Sequence, residues 1–165
     1  MEIKKVEAES IPIIQSIAKS TWAVAYKEII SNEQKEFMLD QMYSTESLQS
    51  QILQQNHQFV IAYLDKNPTG FSSYSIKQST NESIGKLHKL YVDPSQQGQG
   101  IGKSILQFII KDISSKGANY LELNVNRQNM AVGFYQKLGF TIIAEEDIPI
   151  GNGFFMNDYV MQISC

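Results

Sequence analysis

The sequence predicts a mixed α/β (α+β) fold, a sheet with helices on both faces, carried by one domain spanning residues 1–165. Three observations lead there. Period-two and helical hydrophobic patterns are interspersed: a strand, helices, three strands, then helices alternating with strands before a closing strand pair. With 165 residues, 42% of them hydrophobic and 19% charged, the chain can bury a core without metals or crosslinks. It also lacks an internal repeat, a low-complexity tract and a Pro/Gly/Ser-rich linker, and its four prolines fall at expected element boundaries.

Glu2–Val6 reads as a short strand. Ser10-Ile11-Pro12 then signals a helix start, with Ser10 as N-cap and Pro12 in the first turn. Apolar residues at Ile13, Ile14, Ile17, Ala18, Trp22 and Ala25 follow helical spacing. Further helices are expected over Asn32–Tyr43 and from Ser44/Thr45 to about Gln54. Phe59–Leu64 and Gly70–Ile76 flank the turn signal Asp65-Lys66-Asn67-Pro68 and form an expected hairpin. A strand over Ile84–Val92 is stopped by Asp93-Pro94.

Beyond it, Ile101, Ile105, Phe108, Ile109 and Ile113 make one apolar helical stripe, closed by Gly117. Tyr120–Val125 reads as strand, Met130–Leu138 as helix ending at Gly139, and Thr141–Ala144 and Phe154–Ile163 as the last strands.

The single cysteine, Cys165, permits no intramolecular disulfide and suits a reducing, cytoplasmic compartment. No signal-peptide h-region opens the chain, and no apolar run approaches the roughly 20 residues that span a bilayer, so no membrane partner is expected. A net charge of -3 argues against a nucleic-acid binder. The charge is unevenly placed. From Lys86 to Lys137 seven basic residues face three acids, whereas Leu138–Cys165 holds four acids and no Lys or Arg. This division fits a polyanionic ligand in the middle of the chain and a cationic one near its ends.

The most informative segment runs from Leu90-Tyr91-Val92 through Asp93-Pro94 to Gln97-Gly98-Gln99-Gly100-Ile101-Gly102-Lys103. A strand ends at a proline, and a loop with three glycines in five residues opens into an amphipathic helix. Such glycines let backbone N–H groups face a ligand closely, and the helix start adds free N–H groups and a positive dipole end. Together with Lys103 they predict a phosphate site. Gly102-Lys103-Ser104 matches the tail of the Walker A pattern, but Gln97 stands where its first glycine belongs. The Rossmann pattern started at Gly98 and Gly100 would need its last glycine at Lys103.

Gln97-Gly98-Gln99-Gly100-Ile101-Gly102 instead resembles the [QR]-x-x-G-x-[GA] pyrophosphate loop of the GNAT acetyltransferases. Ala131-Val132-Gly133-Phe134-Tyr135-Gln136-Lys137-Leu138-Gly139-Phe140 is similar to that family's A-x-x-F-Y-x-K-x-G-F block, about 30 residues later in the family's order. The resemblance implies a twisted mixed sheet of six to seven strands, split at its central strand pair. It implies acetyl-CoA as cosubstrate and a small-molecule amine as partner, in a monomer or homodimer. The pantetheine arm would bond the backbone of Leu90, Tyr91 and Val92, and the pyrophosphate would sit on Gln97, Gly98, Gln99, Gly100, Ile101, Gly102 and Lys103.

Tyr135 matches the tyrosine that in many relatives protonates the departing thiolate, while Phe134, Leu138 and Phe140 read as core. Gln128 stands where relatives often carry asparagine, so Asn124 and Asn129 are both candidates for cofactor contact, with helix capping by Asn126 or Asn129 as the alternative. The general base stays open: His88 is a candidate because histidine as a residue type titrates near neutrality, but it is a lone strand histidine, and His57 has no partner pattern. No Cys/His/Asp/Glu spacing points to a metal.

The segments Ser20-Thr21-Trp22 with Tyr26, and Asn157-Asp158-Tyr159-Val160-Met161, resemble bacterial polyamine acetyltransferases. Trp22 and Tyr26 are expected to pack the helix rather than line an amine pocket. Glu28, Glu33, Glu36, Glu145, Glu146 and Asp147 are candidate carboxylates for a polycation, the last three placed between the final strands with no base after Lys137 to compete. A non-catalytic acetyl-CoA sensor and a protein N-terminal or lysine acetyltransferase remain the alternatives.

Overall fold

A computed structural model describes residues 1–78 and 82–165. Seven strands are hydrogen-bonded in the order β1-β2-β3-β4-β5-β7-β6: β1 (Glu2–Val6), β2 (Gln58–Leu64), β3 (Asn67–Gln78), β4 (Ser83–Val92), β5 (Tyr120–Asn126), β6 (Thr141–Gly151) and β7 (Phe154–Ser164). Among the described residues five α-helices join them: α1 (Ile11–Ala25), α2 (Asn32–Tyr43), α3 (Thr45–Leu53), α4 (Ile101–Ser115) and α5 (Ala131–Lys137). The expected mixed fold is present. No helix among the described residues is long and apolar enough to cross a membrane. Contacts divide the chain into two compact units, Met1–Ser75 with His88–Ile109, and Ile76–Leu87 with Ile110–Cys165.

In the first unit, the turn signal after β2 forms a two-residue hairpin. Asp65 and Lys66 adopt φ 47° and 68°, the paired left-handed geometry that matches strand twist. Asn67 and Pro68 already belong to β3, which is longer than its hydrophobic pattern implied. Ser31 and Ser44 accept bonds from Gln34 N and Ser47 N and cap α2 and α3. Ser10 holds the N-cap position of α1 without a side-chain capping bond, so Pro12 and burial carry that helix start. Ile14, Ile17, Ala18 and Trp22 form its buried stripe.

Lys89 is an unusual member of this interior. It is 9% exposed; its Nζ donates to Gln51 Oε1 at 2.6 Å and lies 5.5 and 5.9 Å from the ring centres of Tyr43 and Phe59. Burial pushes its pKa down to about 8, because a neutral carboxamide and two π faces replace only part of the ammonium's hydration.

The second unit is built on β5, β7 and β6. Antiparallel pairs join Asn124 to Val160 and Asn126 to Asp158, and Asp158 to Glu146. The parallel β4–β5 ladder covers Ile84–Leu87 against Tyr120–Leu123, although β4 runs to Val92 and β5 to Asn126. Gly85 lets α4 approach this ladder closely: a Cβ there would lie 2.5 Å from Ile113 Cδ1 and 3.3 Å from Leu121 Cδ1.

β6 extends to Gly151, well past the expected end at Ala144. The alternation signal fails because β6 is exposed along most of its length, and an exposed strand has little reason to alternate apolar with polar.

Lys89 makes stability depend on pH. Its ammonium loses its proton near 10.5 in the unfolded chain and near 8 in the folded protein. Between these values the unfolded state binds the extra proton, so this contribution to stability rises with pH through that window and is absent below it. Denaturant melts of wild type and Lys89→Met should therefore differ by an amount that changes between pH 8 and 10 and is constant from pH 6 to 7. Parallel profiles across both ranges would show that Lys89 is not desolvated. The comparison must be a difference, because burial also raises the Tyr43 pKa and adds its own pH dependence at the alkaline end.

Candidate active site

β4 stops at Val92 because Pro94 has no N–H for a ladder. Asp93 N instead donates to Thr69 O at 2.8 Å, and Asp93 Oδ1 accepts from Ser95 N at 2.9 Å and Ser95 Oγ at 2.6 Å. These bonds fix a short 3₁₀ turn, Pro94–Gln96, which sequence patterning did not anticipate. Gln97 Nε2 reaches back to Val92 O at 3.3 Å, and Gln99 Nε2 donates to Gln96 Oε1 at 2.9 Å.

Gly98 and Gly100 adopt φ 82° and 77°, and a Cβ at either position would meet no atom within 4 Å. Their backbone conformation, not crowding, therefore demands glycine. Ser104 N makes the first helical bond, to Gly100 O at 3.0 Å. The N–H groups of Ile101, Gly102 and Lys103 thus belong to the opening turn of α4, where the helix offers free donors and a positive dipole end. Residues Gln97 to Gly100 and Lys103 are exposed, while Ile101 is buried and anchors the helix start. The arrangement has the donors, charge and access that a pyrophosphate needs.

Leu90, Tyr91 and Val92, directly before this loop, are partly exposed. The Tyr91 ring joins an aromatic group, 5.7 Å from Phe71 and 6.3 Å from Trp22, with its hydroxyl 3.5 Å from that of Tyr26. Trp22 and Tyr26 are buried with ring centres 4.4 Å apart, as packing residues are. His88 is exposed; its Nε2 lies 2.8 Å from Ser75 Oγ, and its ring stacks on His57 at 3.8 Å. Burial first, and then Lys89, lower the His57 pKa to about 4, so this imidazole is neutral at physiological pH.

In the second unit, Tyr135 is 7% exposed on α5, with edge-to-face contacts to Phe134 at 5.2 Å and Phe140 at 5.5 Å. Phe140 is buried, whereas Phe134 and Leu138 are only partly so. Asn129 Oδ1 accepts from Ala131 N at 2.8 Å at the start of α5, and Asn126 Oδ1 accepts from Gln128 N at 3.0 Å. Both asparagines thus make local side-chain-to-backbone bonds two residues on, shaping the turn before α5, whose N-cap, Met130, has no side-chain capping bond.

Asn124 is tied up differently. Its Oδ1 accepts from Lys86 Nζ, and its Nδ2 donates to Glu146 Oε2 at 3.1 Å.

The acidic run Glu145-Glu146-Asp147 lies in β6 and not in the connection to β7, so successive side chains point to opposite faces. Arg127 takes Asp147 at 2.5 Å and Glu145 at 3.7 Å, leaving Glu146 with Asn124. The three carboxylates therefore do not form one cradle. The absence of bases after Lys137 misleads, because pairing along the sheet brings an earlier one to them. Asp158, which stood in a quoted motif without a role, proves to be 6% exposed, with a buried Oδ1 that has no hydrogen-bond partner. Among the described residues no group of three or more His, Cys, Asp or Glu is placed to hold a metal ion.

The model of the acetyltransferase (GNAT) domain family matches residues 24–162. A spermidine N(1)-acetyltransferase from Thermoplasma acidophilum is 30% identical over 147 residues, covering 86% of this chain and 89% of that protein. The crystal structure of the PaiA N-acetyltransferase from Thermoplasma acidophilum in complex with coenzyme A superposes with a TM-score of 0.81 at 29% identity, over 99% of this chain and 98% of that one. A GCN5-related N-acetyltransferase from Rhodopseudomonas palustris has the same fold, with a TM-score of 0.81 at 20% identity over 99% and 95% of the two chains. The chain belongs to the GNAT family of N-acetyltransferases, enzymes whose cosubstrate is acetyl-CoA.

Proposed function

We propose that this chain, as one domain over residues 1–165, acetylates a primary amine of a small polyamine such as spermidine, with Tyr135 as the proton donor to the departing thiolate. The observation that carries the acceptor is the spermidine N(1)-acetyltransferase relative, similar along nearly the whole of both chains. Acetyl-CoA supplies an activated acyl group on a thiol leaving group. The N–H groups of Gln97–Lys103 and the Lys103 ammonium would hold its pyrophosphate, and the backbone of Leu90–Val92 its pantetheine arm. Asn129 would offer its carboxamide N–H groups to the cofactor while its oxygen accepts from Ala131 N. Asn124 is better accounted for by its bonds to Lys86 and Glu146.

A phenol suits the proton-donor role because it is neutral at physiological pH and donates one hydrogen bond. The matched block around Tyr135 supports that assignment. The amine must be neutral when it attacks, and a backbone N–H near Val92 is suited to the carbonyl oxygen as charge develops there.

Acetyl-CoA at a hundredfold excess over its dissociation constant should stabilise the fold by about 2.7 kcal/mol, with little effect of ATP; a larger shift with ATP than with CoA would sink the assignment of the loop. Gly100→Val places a β-branched residue at φ 77° and should weaken acetyl-CoA binding while the melting transition stays cooperative; unchanged affinity would put the pyrophosphate elsewhere. Tyr135→Phe should lower kcat by roughly 10²-fold or more with little change in KM for acetyl-CoA, and near-normal turnover at every pH would reassign Tyr135 to packing. Thiol release with spermidine tests the acceptor. Turnover of another amine but not of polyamines would refute that part alone, and acetyl-CoA binding with no turnover of any amine would mark a sensor.

A further inference from the structure

One face of the second unit's sheet is mainly polar, with Val160 and Ala144 as its apolar members beside Asn124. Asn126, Asp158 and Glu146 are register partners across β5, β7 and β6, so their side chains share a face. Two residues along comes Asn124, and two further Glu122, which pairs with Lys86 on β4 and with Gln162 on β7. The opposite face holds Gly85 and Leu121, against which Ile113 of α4 packs.

The polar face is short of positive charge. Lys86 is its one ammonium among the described residues, and it feels three carboxylates, Glu122, Glu146 and Asp158. Its single hydrogen bond goes to the neutral Asn124 carboxamide, not to any of them. Arg127 is spent at the edge, on Glu145, Asp147 and the carbonyls of Glu146 and Asp158.

Asp158 makes the deficit specific. Its side chain is buried in this face, and no donor among the described residues reaches Oδ1. A buried carboxylate oxygen left without a partner is a standing cost that an N–H donor would remove. Burial first, and Glu146 among the neighbouring charges, hold the Asp158 pKa above its ordinary value, while hydrogen bonding from the Asn124 carboxamide and the charges of Arg127 and Lys86 act against them; the unpartnered atom is Oδ1. Beside it, Glu146 is exposed and Asn124 half-buried, so the group is open on the Glu146 side with Asp158 as its floor.

We propose that Asp158, Glu146 and Asn124 form a subsite for one ammonium group of a polycationic amine, and that Lys86 fills part of this subsite until the amine arrives. An alkylammonium brings three N–H donors, enough for the orphaned Asp158 oxygen, a Glu146 oxygen and the Asn124 oxygen that Lys86 now occupies. A monoamine has no second ammonium to place there, so the subsite would act on selectivity for polyamines. The role of Glu146 here does not need Glu145 or Asp147, which face the other way and are neutralised by Arg127. The inference rests on the polyamine reading of the acceptor and deepens it.

Calorimetric titration of the CoA-loaded protein with spermidine tests it without relying on turnover. Asp158→Asn should weaken spermidine binding by roughly tenfold or more, as loss of a buried charge partner does, and Lys86→Met should strengthen it by removing the internal competitor. The ratio of kcat/KM for spermidine to that for butylamine should move in the same directions, which a purely structural role of these residues would not produce. If Asp158→Asn does not fold, Glu146→Gln, an exposed position, serves in its place with a smaller effect of the same sign. Wild-type protein that does not bind spermidine, or binding that neither Asp158→Asn nor Lys86→Met changes, overturns the subsite. Spermidine turnover that both variants leave unaltered would remove the subsite and keep the polyamine assignment. Turnover of butylamine but not of spermidine would remove the polyamine assignment itself.

Discussion

The left-handed backbone at Gly98 and Gly100 decides how β4 hands over to α4. A chain leaving a strand at a proline must reverse direction before a helix can start, and two residues with φ near 80° turn it within a few positions. Because no neighbouring atom crowds either glycine, the requirement is dihedral, and the space that a side chain would have taken stays open to a ligand. The same turn leaves the first N–H groups of α4 facing outward with Lys103 beside them. Asp93, capping Ser95, and Gln97, bonded to Val92 O, hold the loop in that shape from within.

Legibility followed burial. The helices and strands with a buried side were visible in the sequence, since a buried stripe forces a period: Ile101, Ile105, Ile109 and Ile113 are all buried on α4. β6 was the exception: it is exposed along most of its length, and only Thr141–Ala144, with Thr141, Ile142 and Ile143 of high strand propensity, marked it, before the acidic run Glu145-Glu146-Asp147 hid the rest. The phosphate loop was legible because its chemistry lies in contiguous residues. The charge pairs were not. Arg127 meets Asp147 twenty positions later, Lys86 meets Asn124 thirty-eight positions later, and only strand register brings them together. Asp158 gave a sequence-level signal only as part of a longer motif, since nothing local marks one carboxylate as buried.

The same register changes the meaning of charge composition. A stretch with four acids and no base reads as a cation-binding surface, yet β-alternation sends Glu145 and Asp147 one way and Glu146 the other. One arginine then quenches the first pair. What remains is smaller and better defined: a buried carboxylate and an exposed one, a carboxamide, and a lysine that occupies their acceptor. Lys89 shows the complementary case in the first unit, where an ammonium is buried against a neutral carboxamide, with no carboxylate in contact among the described residues, and gives up part of its basicity instead.

The assignment of the Gln97–Lys103 backbone as the pyrophosphate cradle can be read directly by amide hydrogen exchange with and without acetyl-CoA. Those N–H groups are at a helix start or in an exposed loop and should exchange fast in the free protein. With acetyl-CoA bound, exchange at Gln97 to Lys103 should slow well beyond any change in α2 or α3. Protection that appears elsewhere and leaves this loop at its free rate would contradict the account.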